Sequence, residues 1–253
     1  MSEEVVVITG ANNGIGLALA RNLSALGNRV ACLDLMGENL SDLWYIHCDV
    51  SDPAQVERAV AAIIARWGTV DILVNNACIA IFAPFEEKDL GDTRREFEVN
   101  YFGYINTIRA VLPHMKAQGH GIIHNFSSAV GLSGFAGIYG YASTKGAIEA
   151  LSRTLAIELS HYGIAVNIVH PPLTRTNSAA PLGVPPQIMA DPESVGRRLA
   201  RKIGSRRAVI TPGYLESLGV FMSRLMPGTM GKFLSARAAS ARDASRTTSP
   251  DGV

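Results

Sequence analysis

The sequence alternates short apolar runs with longer amphipathic segments, and this alternation leaves few folds open to the chain. Continuous runs of Val, Ile and Leu are typical of parallel strands that are covered on both faces. Because parallel neighbours are joined by crossover helices, the pattern predicts an α/β fold. We expect a doubly wound parallel sheet of about seven strands, with helices on both faces. The strands identified are Val5–Thr9, Arg29–Asp34, Trp44–Cys48, Ile72–Val74, Gly121–Phe126 and Ala165–His170. The helical patterns cover about Gly14–Leu26, Pro53–Trp67, Lys88–Gln118 and Tyr141–Tyr162.

The size and composition of the chain suit one domain. Its 253 residues are 47% apolar and 18% charged, which is enough to bury a large core. We expect this domain to span residues 1–234 and the small, polar residues of 235–253 to form a disordered tail. The three cysteines have no CxxC spacing, so neither a disulfide framework nor a metal site is expected. No signal peptide or membrane span is recognised, and a cytoplasmic location is therefore expected.

Basic residues are concentrated near the C-terminus. Residues 197–253 hold eleven Lys and Arg against three Asp and Glu, while the whole chain has a net charge of only +1. A local excess of this kind does not predict a nucleic-acid-binding protein. It allows two interpretations: a solvated helix face, or a basic surface that makes peripheral contact with a membrane or receives a long-chain substrate.

A glycine-rich turn follows the first predicted strand. Gly10, Gly14 and Gly16 lie where that strand passes into a helix, with Asn13 and Ile15 between them. Glycine allows a tight turn and a close approach of the backbone to a pyrophosphate, and the helix N-terminus favours the anion. The turn predicts a Rossmann-like dinucleotide site.

The second strand ends at Asp34, 24 residues after Gly10. A carboxylate there can accept hydrogen bonds from the adenosine ribose and would repel a 2′-phosphate, so NAD is the expected cofactor. Asp49 and Val50 follow the third strand and are candidates for contact with the adenine. A turn-forming role for Asp49 is an equally open interpretation.

Tyr141 and Lys145 begin a long helix and share one of its faces. A tyrosine can exchange a proton near neutral pH only if its pKa falls from about 10, and a nearby ammonium favours the phenolate. Ser127 and Ser128 end the preceding strand, where a hydroxyl could polarise a substrate oxygen. Taken alone, such a pair is most often a solvated helix face.

The chain resembles the short-chain dehydrogenase/reductase family from its first strand to about residue 176. The motifs that carry the resemblance are TGANNGIG at 9–16, Asp34, Asp49-Val50, NNA at 75–77, VN at 99–100, SS at 127–128 and YASTK at 141–145. This resemblance implies an oxidoreductase that moves a hydride between a nicotinamide cofactor and a secondary alcohol or ketone.

The resemblance also implies a role for each matching residue. Tyr141 exchanges the proton, Ser128 orients the substrate oxygen, Lys145 lowers the pKa of the tyrosine, and Asn100 supports a proton relay from a helix kink. The cofactor contacts implied by motif or resemblance are Gly10, Asn13, Gly14, Ile15, Gly16, Asp34, Asp49, Val50, Asn76, Ala77, Tyr141, Lys145, Pro171 and Thr176. Asn76 could equally be a structural residue at a strand end.

Two positions depart from the family pattern. Cys78 and Pro172 stand where the family usually has glycine, and Pro172 should stiffen the loop on the nicotinamide side. The surrounding PPxTxT pattern is similar to that of 3-ketosphinganine reductases. Those enzymes typically use NADPH, which Asp34 argues against here. The alternative function is a redox sensor or scaffold that binds NAD without turnover.

The C-terminal third gives the least guidance. Residues 173–191 are predicted to be a mobile substrate loop, with Leu182, Val184, Ile188 and Met189 facing a largely apolar substrate. A helix around 214–226, including Phe221, is expected beside it. The family's usual glycine-rich last strand is not recognised. The helices at 88–118 and 141–162 resemble those that build family assemblies, so a homodimer or homotetramer is expected.

Overall fold

The computed structural model describes residues 3–247, with side chains described as far as Ala239. Its centre is one parallel sheet with the strand order β3-β2-β1-β4-β5-β6-β7. The strands are β1 (Val5–Thr9), β2 (Arg29–Asp34), β3 (Trp44–His47), β4 (Ile72–Asn75), β5 (Gly121–Phe126), β6 (Ile164–Val169) and β7 (Val209–Ile210). Neighbouring strands pair in parallel throughout, which confirms the predicted doubly wound, Rossmann-like class.

Helices cover both faces of the sheet, and each face has its own apolar core. The helices are α1 (Gly14–Ala25), α2 (Pro53–Trp67), α3 (Leu90–Phe97), α4 (Gly103–Gln118), α5 (Val130–Ser133), α6 (Tyr139–Glu158), α7 (Pro192–Ala200), α8 (Tyr214–Leu225) and α9 (Pro227–Thr247). Helices α1 and α7 pack on one face, and α2, α4 and α6 pack on the other. Within the described residues, no helix is both long and apolar enough to cross a membrane.

The order of β1 and β4 creates the topological switch point of this sheet. Strand β1 pairs with β2 on one side and with β4 on the other, so the chain winds outward in opposite directions from this pair. The loops after the two strands therefore separate and leave a crevice at the carboxyl edge. Doubly wound folds bind their ligands in this crevice.

Three sequence predictions differ from the structure. The segment 88–118 is not one helix, because a π-helical turn, Glu98–Phe102, separates α3 from α4. A last strand is present as the two-residue β7, which is too short to give a hydrophobic pattern. The predicted disordered tail continues α9 as far as Thr247. Its alanines and arginines are good helix formers, and Ala238 is buried, so this stretch extends a packed helix. The rest of the predicted tail, 248–253, lies outside the described residues.

Candidate active site

The glycine-rich turn packs its backbone too closely to admit side chains. Gly10 has φ of +66°, and a Cβ added to it would lie 2.6 Å from the Cα of Ala77. A Cβ on Gly16 would collide with the carbonyl oxygen of Gly10. At the start of α1, Asn13 makes no side-chain capping hydrogen bond within the described part of the chain. The first N–H groups of α1 therefore remain available to an anion, as a dinucleotide pyrophosphate requires.

Asn76 and Ala77 hold this turn against β4. The side-chain amide of Asn76 donates to the carbonyl oxygens of Thr9 (3.0 Å) and Gly10 (2.8 Å). The backbone N–H of Ala77 donates to the Thr9 hydroxyl at 3.0 Å. Both residues also line the central cavity. The hydrogen bonds support the structural interpretation of Asn76, which positions the turn.

Asp34 lies at the carboxyl end of β2 and lines the same cavity. Its Oδ2 accepts the backbone N–H of Asn12 at 2.9 Å, and its Oδ1 accepts that of Leu35 at 2.8 Å. Oδ1 also accepts the backbone N–H of Met36 at 3.5 Å. These bonds fix the carboxylate in place, and Oδ2 keeps a lone pair for another donor. A fixed carboxylate at this position fits the pair of ribose hydroxyls of an adenosine.

Asp49 and Val50 line the cavity near Asp34. The Oδ1 of Asp49 accepts the backbone N–H of Ser51 at 2.9 Å and its hydroxyl at 2.7 Å. This is an Asx-type turn that leads towards α2. The geometry therefore shows the turn-forming role of Asp49, while its place in the cavity wall keeps it a candidate for contact with the adenine.

Tyr141, Lys145 and Ser128 come together at the end of β5 and the start of α6. The Ser128 hydroxyl lies close enough to Tyr141 to favour its phenolate. The Lys145 ammonium is buried 5.5 Å from the centre of the Tyr141 ring, and it donates to the carbonyl oxygen of Phe126 at 2.8 Å. All three side chains line the cavity. One helical turn places the tyrosine and the lysine together, and the strand end brings the serine to them.

The hydroxyl groups of Ser127 and Tyr139, which neighbour Ser128 and Tyr141 in sequence, make hydrogen bonds elsewhere. The Ser127 hydroxyl is buried and donates to the carbonyl oxygen of Lys145 at 3.2 Å. The Tyr139 hydroxyl accepts from Thr93 at 2.8 Å, and Tyr139 is not among the residues that line the cavity. The geometry therefore distinguishes Ser128 and Tyr141 from the residues beside them.

Burial dominates the electrostatics of this triad. It raises the pKa of Tyr141 well above its usual range, and a negative charge on Cys78 would raise it further, whereas the Ser128 hydroxyl lowers it. Burial also lowers the pKa of Lys145. A phenolate at Tyr141 therefore depends on positive charge placed close to it.

Asn100 lies at the centre of the π-helical turn and is fully buried. Its amide donates to the carbonyl oxygen of Ile79 at 2.8 Å and to the hydroxyl of Thr144 at 3.2 Å. Its Oδ1 accepts the Ile79 N–H at 2.8 Å. The side chain therefore fastens the loop that carries Cys78, and the proposed relay through Asn100 stays a prediction.

A cavity of about 1130 Å³ connects these features. Pro171 and Thr176 also line the cavity, and the Thr176 side chain lies against Gly14. The wall of the cavity is mainly apolar. Its apolar residues include Phe82, Phe135, Ile138, Leu182, Val184, Ile188, Leu215, Val220, Met230, Phe233 and Leu234.

The predicted substrate loop is anchored at its base. Thr174 forms a β-bridge with Ala190, and 3₁₀ turns at Ala180–Leu182 and Pro186–Ile188 shape the segment between them. Leu182, Val184 and Ile188 line the cavity as predicted. Met189 and Phe221 do not, and Phe221 is 59% exposed. The prediction that Met189 faces the substrate was wrong. Phe221 lies on α8, where helical spacing identifies an apolar stripe without showing which way the stripe faces.

Comparison with known proteins agrees with this geometry. The family model described as short chain dehydrogenase matches residues 4–184. The chain belongs to the short-chain dehydrogenase/reductase family. It is 36% identical over 199 residues to trans-4-hydroxycyclohexanecarboxylate dehydrogenase of Sinomonas cyclohexanicum, covering 72% of this chain and 76% of that one. It is also 36% identical over 181 residues to 3-alpha-(or 20-beta)-hydroxysteroid dehydrogenase of Mycobacterium tuberculosis, covering 68% and 70%.

A solved short-chain dehydrogenase from Streptomyces avermitilis has the same fold over almost the whole chain. Its TM-score is 0.78 at 30% identity, covering 98% of this chain and 99% of that one. The match extends beyond residue 184, where the family model ends, and thus includes most of the C-terminal third. As a short-chain dehydrogenase/reductase, the protein is an oxidoreductase that works with a nicotinamide cofactor.

A buried ion pair behind the catalytic helix was not found from the sequence. The Lys88 ammonium lies 2.5 Å from Glu96 Oε2, and both side chains are fully buried. Lys88 also donates to the carbonyl oxygen of Ile81, and the N–H of Ile81 donates to Glu96 at 2.8 Å. A Cβ on Gly140, the residue before Tyr141, would collide with the Glu96 carboxylate. The pair therefore fixes both the loop after β4 and the start of α6.

Proposed function

We propose that the protein transfers a hydride between NAD(H) and a secondary alcohol or ketone carbon of a largely apolar substrate. The observation that carries this proposal is the meeting of Ser128, Tyr141 and Lys145 at the wall of one cavity. The glycine-rich turn and Asp34 lie along the same cavity. The turn and Asp34 would hold a dinucleotide, and its nicotinamide ring would exchange the hydride with the substrate.

The chain's own residues account for the proton chemistry. In the oxidation direction, a hydrogen bond from Ser128 fixes the substrate oxygen, and Tyr141 takes the hydroxyl proton as the hydride leaves the carbon. The Lys145 ammonium stabilises the phenolate that burial disfavours. When bound, the oxidised nicotinamide ring supplies the hydride acceptor and additional positive charge near the phenol.

The cofactor and substrate preferences are supported by the cavity wall. The fixed carboxylate of Asp34 favours NAD over NADP, because it accepts from ribose hydroxyls and repels a 2′-phosphate. The apolar lining contributed by the 182–188 segment and by α8 and α9 favours an apolar substrate body. The hydroxysteroid dehydrogenase among the relatives is consistent with such a substrate, whereas the trans-4-hydroxycyclohexanecarboxylate dehydrogenase is named for a ring alcohol that also carries a carboxylate.

The test is a substitution with a matched control. Purified protein is assayed with NAD⁺ against secondary alcohols, and Tyr141→Phe is compared with Tyr139→Phe. Tyr141→Phe should lower kcat by about 10²–10⁴-fold with little change in NADH binding, because it removes only the proton-exchanging group. Tyr139→Phe should keep activity within about threefold, since Tyr139 lies outside the cavity wall.

A loss of less than about tenfold in Tyr141→Phe would refute the role of Tyr141. NADH binding without turnover of any alcohol or ketone would favour the alternative, a sensor or scaffold.

A further inference from the structure

A buried carboxylate lies one helical turn beyond Lys145. The side chain of Glu149 is 2% exposed, and its Oε2 lies 3.1 Å from Arg153 and 3.4 Å from Arg224. Burial opposes ionisation, but the close approach of His170 and the positive charge of Arg224 lower the pKa of Glu149. The carboxylate is therefore ionised and already faces two guanidinium groups.

His170 connects this carboxylate to the cavity. It follows β6, is 1% exposed and lines the cavity, and its Nε2 lies 2.9 Å from Glu149 Oε1 in a contact that is not a linear hydrogen bond. Its Nδ1 is buried and has no hydrogen-bond partner among the described residues. A carboxylate beside Nε2 favours the tautomer with its proton on Nε2. Nδ1 then presents an acceptor lone pair.

A second unpartnered polar atom lines the same cavity. Ser223 on α8 is 1% exposed, and within the described chain its Oγ has no hydrogen-bond partner. The next residue, Arg224, reaches Glu149, so α8 is held against the same carboxylate as His170. Buried polar atoms without partners are rare in folded proteins, and two in one cavity wall call for a ligand.

We propose that His170 and Ser223 form a subsite for a second hydroxyl group of the substrate, separate from the oxygen on which Tyr141 and Ser128 act. A hydroxyl matches the pair because it can donate to Nδ1 of His170 and accept from the Ser223 hydroxyl at the same time. The inference rests on the proposed function and refines it. The substrate class becomes an apolar molecule that carries two oxygens, a diol or a hydroxyketone.

The discriminating experiment compares matched alcohols. Cyclohexanol and the cis and trans isomers of cyclohexane-1,2-, 1,3- and 1,4-diol are oxidised with NAD⁺ by the wild type, by His170→Phe and by Ser223→Ala. At least one diol should have a kcat/KM at least about tenfold above that of cyclohexanol, because a site built for a hydroxyl rejects an analogue that lacks it. Each variant should lose that preference and keep kcat/KM for cyclohexanol within about threefold.

His124→Gln is the matched control, since His124 is a second buried histidine that does not line the cavity. It should leave the preference for the diol unchanged. Thermal melting of the NADH complexes supplies a readout without turnover: the preferred diol should raise Tm more than cyclohexanol does in the wild type, and equally in His170→Phe.

Oxidation of cyclohexanol and every diol with equal kcat/KM would overturn the subsite and leave the proposed function intact. An equal loss of kcat/KM for cyclohexanol and the diols in His170→Phe would also overturn the subsite, because a histidine with a purely structural role would give that result. If no alcohol is oxidised, the proposed function fails. The subsite is then decided by whether any diol raises Tm more than cyclohexanol does in the wild type but not in His170→Phe.

Discussion

The charge of Asp34 should set the choice between NAD and NADP, and Asp34→Asn isolates that charge. The asparagine keeps one oxygen, which can still accept the N–H of Asn12, while the exposed N–H of Leu35 turns to water. The substitution therefore retains the turn and removes the negative charge. Asp34→Ala would remove the hydrogen-bond acceptor and the negative charge together, so it would not separate their effects.

The expected magnitude follows from the electrostatics of a half-buried site. Two unit charges about 5 Å apart, at an effective dielectric constant of about 40, repel by about 1.7 kcal/mol, and a 2′-phosphate carries more than one charge. Asp34→Asn should thus strengthen NADPH binding by about 20-fold or more. NADH binding should weaken by about fivefold, because a charge-assisted hydrogen bond becomes a neutral one. The ratio of the two dissociation constants should change by about a hundredfold.

Fluorescence titration of both reduced cofactors at constant ionic strength measures this ratio. Glu57→Gln removes one exposed negative charge from α2 and serves as the control for net charge. If Asp34→Asn changes the ratio by less than about threefold, or if Glu57→Gln changes it equally, the carboxylate does not determine cofactor choice.

Three further predictions follow from the described residues. Iodoacetamide should label Cys78 and block turnover, and bound NADH should protect it, because Cys78 is partly exposed in the cavity. Cys32 and Cys48 are buried, and burial raises their pKa to about 12 and about 11. Cys78→Ala should resist inactivation, and loss of activity in that variant would contradict the assignment. Stability should fall as the pH drops from about 6.5 to about 4, because burial lowers the pKa of His124 to about 4 and the unfolded chain binds the proton first. Urea titrations should show that the free energy of unfolding falls by up to about 3 kcal/mol over this pH range. If the free energy of unfolding of His124→Gln depends on pH as strongly as that of the wild type, His124 is not the cause. Light scattering should give the mass of a dimer or tetramer, since Phe102 and Ile157 expose apolar surface beside α4 and on α6. Ile157→Glu should then shift the mass towards the monomer, and a monomeric wild type would contradict the assembly.

Local rules predicted most of the sheet and the glycine-rich turn. Strand β1 is a nearly continuous apolar run, and a side chain at position 16 would collide with Gly10 in the same turn. The pairing of Tyr141 with Lys145 is likewise local, because four residues make one helical turn. These features depend on short sequence separations, which a pattern can reveal.

Features that depend on tertiary contacts were not predictable in this way. Lys88 and Glu96 look like solvated charges in the sequence, and only their shared burial under α6 makes them a pair. Phe221 fits the apolar spacing of α8 but faces outward, because spacing alone does not give the rotation of a helix. The contact between Glu149 and His170 joins residues from α6 and the end of β6, and no motif signals it.

The collision between a side chain at position 140 and the Glu96 carboxylate also limits how this chain can vary. Replacing Gly140 with alanine is a usual way to stiffen a helix. Here the added methyl group would have to displace the Glu96 carboxylate, which is buried together with its counter-charge, Lys88. Shortening Glu96 first would leave Lys88 unpaired in the core. Substitutions at positions 88, 96 and 140 are therefore coupled. A laboratory-evolved variant should change all three positions together or leave all three as they are.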